Sequence, residues 1–227
     1  MAVQNQSICV KVVGLGAAGL RLVDKLAAVG FPAMQFLSLD TDCQELQRCQ
    51  ITEKMQLGAT TRRGWGCSGD AAEGAESVRT DRDCVAGKLR GADLVIIVAG
   101  MGGGMGGGGA AVVAEIAKEC GALVMAMVIE PLNLEGRTET AGLSLQRLLQ
   151  VADTVVRMSN QGVMEKQGEG CSVLECFEAS NNHVLESLMG FGRLMRSDGT
   201  LNIDFSHVRN IISGQHGESF LATVEVA

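Results

Sequence analysis

The sequence predicts an α/β domain in three layers around a parallel sheet, followed by one long core helix. Short β-branched runs alternate with longer helical patterns, which is how βαβ units read in sequence. The core must be aliphatic, because the 227 residues hold no Tyr, one Trp and six Phe, beside 11 Met. Strands of a sheet covered on both faces read as such Val/Ile/Leu runs.

Ile8–Val13 reads as the first strand, and Leu20–Val29 as a helix with Leu22, Val23, Leu26 and Ala27 on one face. Met34–Leu39 is the second strand, and Leu57–Gly74 is loop-like, rich in Gly and small polar residues. Ala75–Leu89 fits a helix and Asp93–Ala99 (DLVIIVA) a buried strand. Ala110–Glu119 (helix), Ala122–Ile129 (strand), Glu139–Val151 (helix) and Thr154–Met158 (strand) continue the alternation. Gly168-Glu-Gly170 forms a joint before Val173–Met195, long enough for about six helical turns. A turn and a short helix follow in SDGTLNIDFSHV.

Composition excludes several classes. The net charge is -7 with no Lys/Arg cluster, so a nucleic-acid partner is not expected. Cys9, Cys43, Cys49, Cys67, Cys84, Cys120, Cys171 and Cys176 form no CxxC pair, and neither a zinc site nor a secreted disulfide framework follows. They read as small hydrophobes of a reducing, cytoplasmic compartment. MAVQNQS lacks the basic and apolar regions of a signal peptide, and runs such as Leu94–Gly100 are too short to span a bilayer. Direct membrane insertion is therefore not expected.

Three glycine signals carry the chemistry. Gly14-Leu-Gly16-Ala-Ala-Gly19 lies between the first strand and its helix, with Asp40 ending the second strand. This matches a Rossmann-type dinucleotide fingerprint, whose N–H groups approach phosphate at a helix N-terminus and whose acid bonds a ribose hydroxyl. A tight βα turn without ligand is the plain alternative. The second signal, Gly100 to Gly109, has eight glycines in ten positions between a strand and a helix. So many glycines cost backbone entropy, and a loop whose N–H groups wrap a polyphosphate gives a reason for them. A flexible hinge is the competing account. The third, Arg63-Gly64-Trp65-Gly66-Cys67-Ser68-Gly69-Asp70, could touch a terminal phosphate or be a surface loop.

In this order the motifs resemble the tubulin/FtsZ family of GTP-binding proteins. VVGLGAAG is similar to the family's first nucleotide loop, LDTDCQEL to its NTDAQ stretch and LGATTRRGWGCSGD to its TRGLGAGAN loop. Gly91 to Leu123 resembles its signature strand, loop and helix; Leu134-Glu135-Gly136-Arg137 its sugar-binding FEGR loop; LECFEASNNHVL its base-reading helix. DGTLNIDFSHV is similar to the loop that projects into the next subunit's nucleotide. The match runs from Ile8 to about Gly217.

The resemblance implies bound GTP or GDP, with Mg²⁺ accompanying GTP. It implies backbone contacts to phosphate from Gly16, Ala17, Ala18 and Gly19, with Leu20 and Arg21 beside them. Gly102, Gly103, Gly104, Met105, Gly106, Gly107 and Gly108 would form the second cradle. Glu135 would bond the ribose, Asn160 the sugar or base, Phe177 would stack on guanine, and Asn181 would read its edge, with Asn182 a close substitute. Without the resemblance, Phe177 would read as a core residue and the Asn pair as a solvated face. Hydrolysis in this family occurs between subunits, which places Asn202, Asp204 and His207 as the catalytic positions; a helix cap is the bland alternative there. The implied layout is a GTP-binding domain over 1–172, a central helix over 173–195, and over 196–227 the projecting loop and the start of a further domain. The segment from Gly217 resembles that domain's first strand and, left alone, is expected to pair with the sheet, a partner or another copy.

Several positions depart from the pattern. Met105 and Gly107 stand where the family has Thr, Leu20 and Arg21 where it has Asn, Glu139 where it has Arg, and His207 where it has an acid. Arg21 could attract phosphate, Glu139 would repel it unless turned away, and His207 would not hold Mg²⁺ as a carboxylate does. Weak or altered hydrolysis is the resulting expectation. Three functions remain open: a self-associating, head-to-tail GTPase; a non-hydrolysing module that joins or regulates a full-length FtsZ; and an NAD-dependent oxidoreductase, which would leave the second glycine loop unexplained.

Overall fold

A computed structural model describes residues 8–30, 34–168, 172–194, 205–213 and 217–219. The elements run β1 (Val10–Leu15), α1 (Gly16–Val29), β2 (Met34–Asp40), α2 (Cys43–Arg48), β3 (Lys54–Gln56), α3 (Ala59–Arg62), α4 (Ala71–Thr80) and α5 (Arg82–Leu89). Next come β4 (Leu94–Gly100), a π-helical turn (Met105–Gly109), α6 (Ala110–Glu119), β5 (Leu123–Glu130), a 3₁₀ turn (Asn133–Glu135), α7 (Thr138–Leu149), β6 (Thr154–Ser159) and α8 (Asn160–Gln167). The long α9 (Val173–Leu194), α10 (Phe205–Ile212) and β7 (Gly217–Ser219) complete it.

The strands form one sheet in the order β3-β2-β1-β4-β5-β6-β7, and each neighbouring pair is parallel. Successive side chains point to opposite faces, and the core divides accordingly. Val13, Leu15, Ile97, Val124, Ala126 and Val128 pack with Val78, Val85, Leu89, Val113, Ile116 and Leu148 of the helices on one face. Val10, Val12, Ile96, Val98, Met125 and Met127 pack with Leu22, Val23 and Leu26 of α1, Val184 and Leu188 of α9, and Val208 and Ile212 of α10. The expected three layers are therefore present, and the aliphatic composition fills them.

The differences from the sequence reading are local. The expected helix over Ala75–Leu89 is two helices, because Asp81 leaves helical geometry and its carboxylate accepts from Gly58 N–H at 2.6 Å. Asp70 caps α4 by accepting from Ala72 and Glu73 N–H, so the helix starts inside the stretch read as loop. Asp42 caps the unforeseen α2 through Gln44 and Glu45 N–H, and Ser159 caps α8 through Gly162 N–H. The first helix begins at Gly16 rather than Leu20. Gly16 has φ +72°, which makes the strand-to-helix turn that a residue with a Cβ would resist. At the other end, Gly217–Ser219 pairs in parallel with β6, where Arg157 also bridges Glu218 at 2.7 Å. Within this chain the described part of that segment thus pairs with the sheet.

Candidate functional site

Strand order reverses direction between β1 and β4, and in open α/β sheets ligands bind outside the carboxyl ends at such a point. A cleft of about 670 Å³ lies there. Two helix N-termini meet in it. Gly16, Ala17 and Ala18 of α1 line one side, and Gly104, Met105 and Gly106, where the π turn opens into α6, line another. They run so close together that a Cβ on Gly16 would lie 3.2 Å from Gly106 N, leaving little room for any side chain between them. First-turn N–H groups have no intrahelical acceptor and carry the positive end of the helix dipole, so two such ends side by side favour an anion with several oxygens.

The rest of the wall comes from separate elements. Gly66, Cys67, Ser68 and Gly69 belong to the third glycine loop, and Gly100, Gly102 and Gly103 to the run after β4. Glu135 and Arg137 follow β5, Asn160 opens α8, and Leu174, Phe177, Glu178 and Asn181 form one face of α9 at helical spacing. Glu135 Oε1 accepts from Leu132 N–H at 2.8 Å, which ties its 3₁₀ turn. Asn160 is buried, and its side-chain carbonyl oxygen has no hydrogen-bond partner among the described residues. A buried acceptor left unpaired costs about 1–3 kcal/mol, so a donor arriving in the cleft is favoured there.

Acids outnumber bases. Asp40, Asp42, Glu45, Glu135 and Glu178 line the cleft against Arg21, Lys25 and Arg137. Arg21 bridges Glu45 at 3.3 Å, and Glu45 also holds Arg48 at 2.9 Å. Asp40 is buried, and burial pushes its carboxyl up to about 6; hydrogen bonds from Asp42 and Thr41 N–H oppose the shift, and the charges of Asp42 and Glu45 add to it.

Of the residues expected from sequence, the cleft brings together Gly16, Ala17, Ala18, Arg21, Gly102, Gly103, Gly104, Met105, Gly106, Glu135, Asn160, Phe177 and Asn181. Others stand off it, Gly19, Leu20, Gly107 and Gly108 for packing reasons. Gly19 presses on β4, where a Cβ would lie 2.2 Å from Val98 O, and Leu20 is buried in the core with α1. Gly107 backs onto Met101 O and Ser144, and Gly108 onto Ala71 O. Glu139 is exposed on α7 away from the lining, so its acid does not face the cleft. Met105 contributes to the wall, yet its side chain belongs to the core. His207 is exposed on α10 and is not among the lining residues, and Asn202 and Asp204 lie outside the described residues. The sequence reading missed Lys25, and it held Asp42, Glu45, Arg137, Leu174 and Glu178 inside quoted motifs without naming them as site residues. For Leu174 and Glu178 the signal was available, since they share helical spacing with Phe177 and Asn181. Among the described residues no helix is long and apolar enough to cross a membrane.

Comparison with known proteins gives this geometry a family. Residues 9–167 match the model of the Tubulin/FtsZ family, GTPase domain. The chain is 32% identical over 206 residues to the cell division protein FtsZ of Wigglesworthia glossinidia brevipalpis, covering 90% of this chain and 54% of that protein. It is 33% identical over 210 residues to FtsZ of Buchnera aphidicola from Acyrthosiphon pisum, covering 92% and 55%. The chain thus spans about half the length of these curated relatives. Among solved structures, an empty FtsZ dimer from M. jannaschii superposes with a TM-score of 0.89 at 30% identity, covering 94% of this chain and 63% of that one. CetZ2 from Haloferax volcanii, a GTPγS-bound protofilament, gives 0.79 at 28% identity, covering 93% and 64%. With its parallel sheet, its paired glycine loops and its match over residues 9–167, this chain belongs to the tubulin/FtsZ family through the GTPase domain.

Proposed function

We propose that the cleft binds GTP and GDP, and that the protein associates head to tail and hydrolyses GTP slowly where copies meet. The observation that carries the nucleotide reading is the close approach of two helix N-termini at Gly16 and Gly106, which suits a polyphosphate better than a single phosphate. Asn160, with its unpaired buried oxygen, suits a hydroxyl or amino donor of the sugar or base. Phe177 is half-buried and Asn181 follows it one helical turn on, the pairing of a stacking face with an edge reader. Mg²⁺ would arrive with the phosphates, whose charge it would offset; among the described residues no cluster of three or more potential protein ligands is ready to hold it.

Nucleotide extracted from the purified protein tests this directly. GDP or GTP is the expected content, and NAD would overturn it in favour of a dinucleotide enzyme. Phe177→Ala is expected to weaken guanosine binding roughly tenfold, since stacking is worth about 1–3 kcal/mol per base. An unchanged affinity in a calorimetric titration would remove Phe177 from the base site.

Slow hydrolysis rests on missing groups. Met105 buries its side chain in the core and Gly107 has none, so neither offers a hydroxyl to phosphate. Asn202 and Asp204 are proposed to position the attacking water in a neighbouring copy, with His207 beside them in the sequence. Phosphoryl transfer depends mainly on positioning and charge, so losing donors lowers the rate without abolishing binding. Self-association draws support from the dimer and protofilament among the solved relatives, and from exposed Trp65, Leu134 and Leu174 around the cleft. With GTP and Mg²⁺, light scattering should rise while phosphate release stays well below that of an FtsZ assayed alongside, and Asp204→Ala should lower that release further. Scattering that ignores GTP would sink the assembly reading. Turnover unaffected by Asp204→Ala would favour a non-hydrolysing module that joins a full-length FtsZ.

A further inference from the structure

We propose that Arg137 is the phosphate-facing cation of the cleft, a role that rests on the nucleotide reading above. A polyphosphate entering a wall with five carboxylates and three bases is favoured by a free positive charge close to the glycine loop. Arg21 is committed to Glu45. Lys25 lies nine residues along α1 from Gly16, about 13 Å from the helix end where the backbone N–H groups face the cleft.

Arg137 is placed differently. It precedes α7, and its Nη1 donates to the Gly102 carbonyl at 3.4 Å, so the guanidinium lies along the glycine run. A Cβ on Gly102 would come within 3.6 Å of Arg137 Cβ, which shows how closely the two segments run. No ion pair to Arg137 is found among the described residues. Among the described residues its one hydrogen bond is long and to a neutral acceptor, which leaves most of its five donors available to phosphate oxygens. The two acids beside it in sequence do not compete for it. Glu135 is bonded to Leu132 N–H, and Glu139 is off the cleft. With an acid at position 139, the positive charge on this segment sits two residues earlier and on the cleft side.

Calorimetric titration of the 227-residue chain with GTP and, separately, guanosine tests the assignment. Arg137→Ala should weaken GTP binding by about tenfold to a hundredfold, as expected for loss of charge-assisted hydrogen bonds, and leave guanosine affinity unchanged. Arg137→Lys should fall between the two, because it keeps the charge and loses the planar fork. Melting temperature should be the same in all three proteins, Arg137 being exposed. Unchanged GTP affinity in Arg137→Ala, or equal losses for GTP and guanosine, would overturn the role of Arg137 while leaving the nucleotide site intact. If the unsubstituted chain binds neither ligand, the nucleotide reading itself fails and takes this role with it.

Discussion

Gly108→Ala is expected to destabilise the fold by at least about 3 kcal/mol, although Gly108 does not line the cleft. A Cβ at this position would lie 1.7 Å from Ala71 O and 2.6 Å from the carbonyl carbon. Those are backbone atoms at the start of α4, held by the Asp70 cap, so they cannot rotate aside as a side-chain end would. The contact is mutual, because a Cβ on Gly74 of α4 would lie 2.1 Å from Gly104 O. The better helix propensity of alanine offsets only about 1 kcal/mol of this. For a domain of this size the melting temperature should fall by about 6–12 °C. Gly103→Ala is the matched control: its nearest neighbour would be Gly100 O at 3.8 Å, and its stability should stay within about 0.5 kcal/mol of the unsubstituted chain. Equal melting temperatures for the two variants would show that α4 can move away from the π turn, contrary to this packing.

That contrast also marks what the sequence could and could not show. The run from Gly100 to Gly109 was legible as a backbone that something approaches closely. Which partner approaches was not. At Gly102 and Gly103 the backbone is on the cleft, whereas at Gly107 and Gly108 the close partner is the protein's own chain, and composition reads the same in both cases. The strands were legible because burial on two faces demands continuous aliphatic runs, as in Leu94–Gly100. Short capped elements such as α2 and α8 were not, because their signal is one Asp or Ser accepting a backbone N–H rather than a periodic stripe. Leu20 illustrates the limit at the site. Adjacent in sequence to the first glycine loop, it turns away by one helical step into the core, while Arg21 beside it reaches the cleft. The resemblance supplied Phe177, Asn181 and Glu135 as cleft residues, which spacing alone leaves indistinguishable from core and surface. It included Arg137 in the sugar-binding motif without giving it a role of its own, because that role depends on which neighbouring charges are already paired.

Asp40→Asn is expected to stabilise the chain at pH 7.5 by about 1–2 kcal/mol and to do nothing comparable at pH 4. Asp40 sits at the end of β2 with 4% of its surface exposed, and burial, the largest cause, raises its carboxyl from 3.8 to about 6. The native protein therefore binds this proton more tightly than the unfolded chain between about pH 4 and pH 6. Stability from this group is complete below that window, falls as pH rises through it, and is lost above it. Raising the carboxyl from 3.8 to about 6 corresponds to about 3 kcal/mol. The amide keeps the acceptor for Thr41 N–H at 2.7 Å and Asp42 N–H at 3.2 Å, and it removes a buried charge next to Asp42 and Glu45. Part of the gain is offset because the new NH₂ group must find an acceptor, at about 1–2 kcal/mol if it does not. Urea unfolding of both proteins, free of nucleotide, at pH 4 and pH 7.5 isolates the effect as a difference of differences. An equal stability gap at the two pH values would mean that Asp40 titrates alike in both states, and the acid at the end of β2 would then be solvated rather than buried.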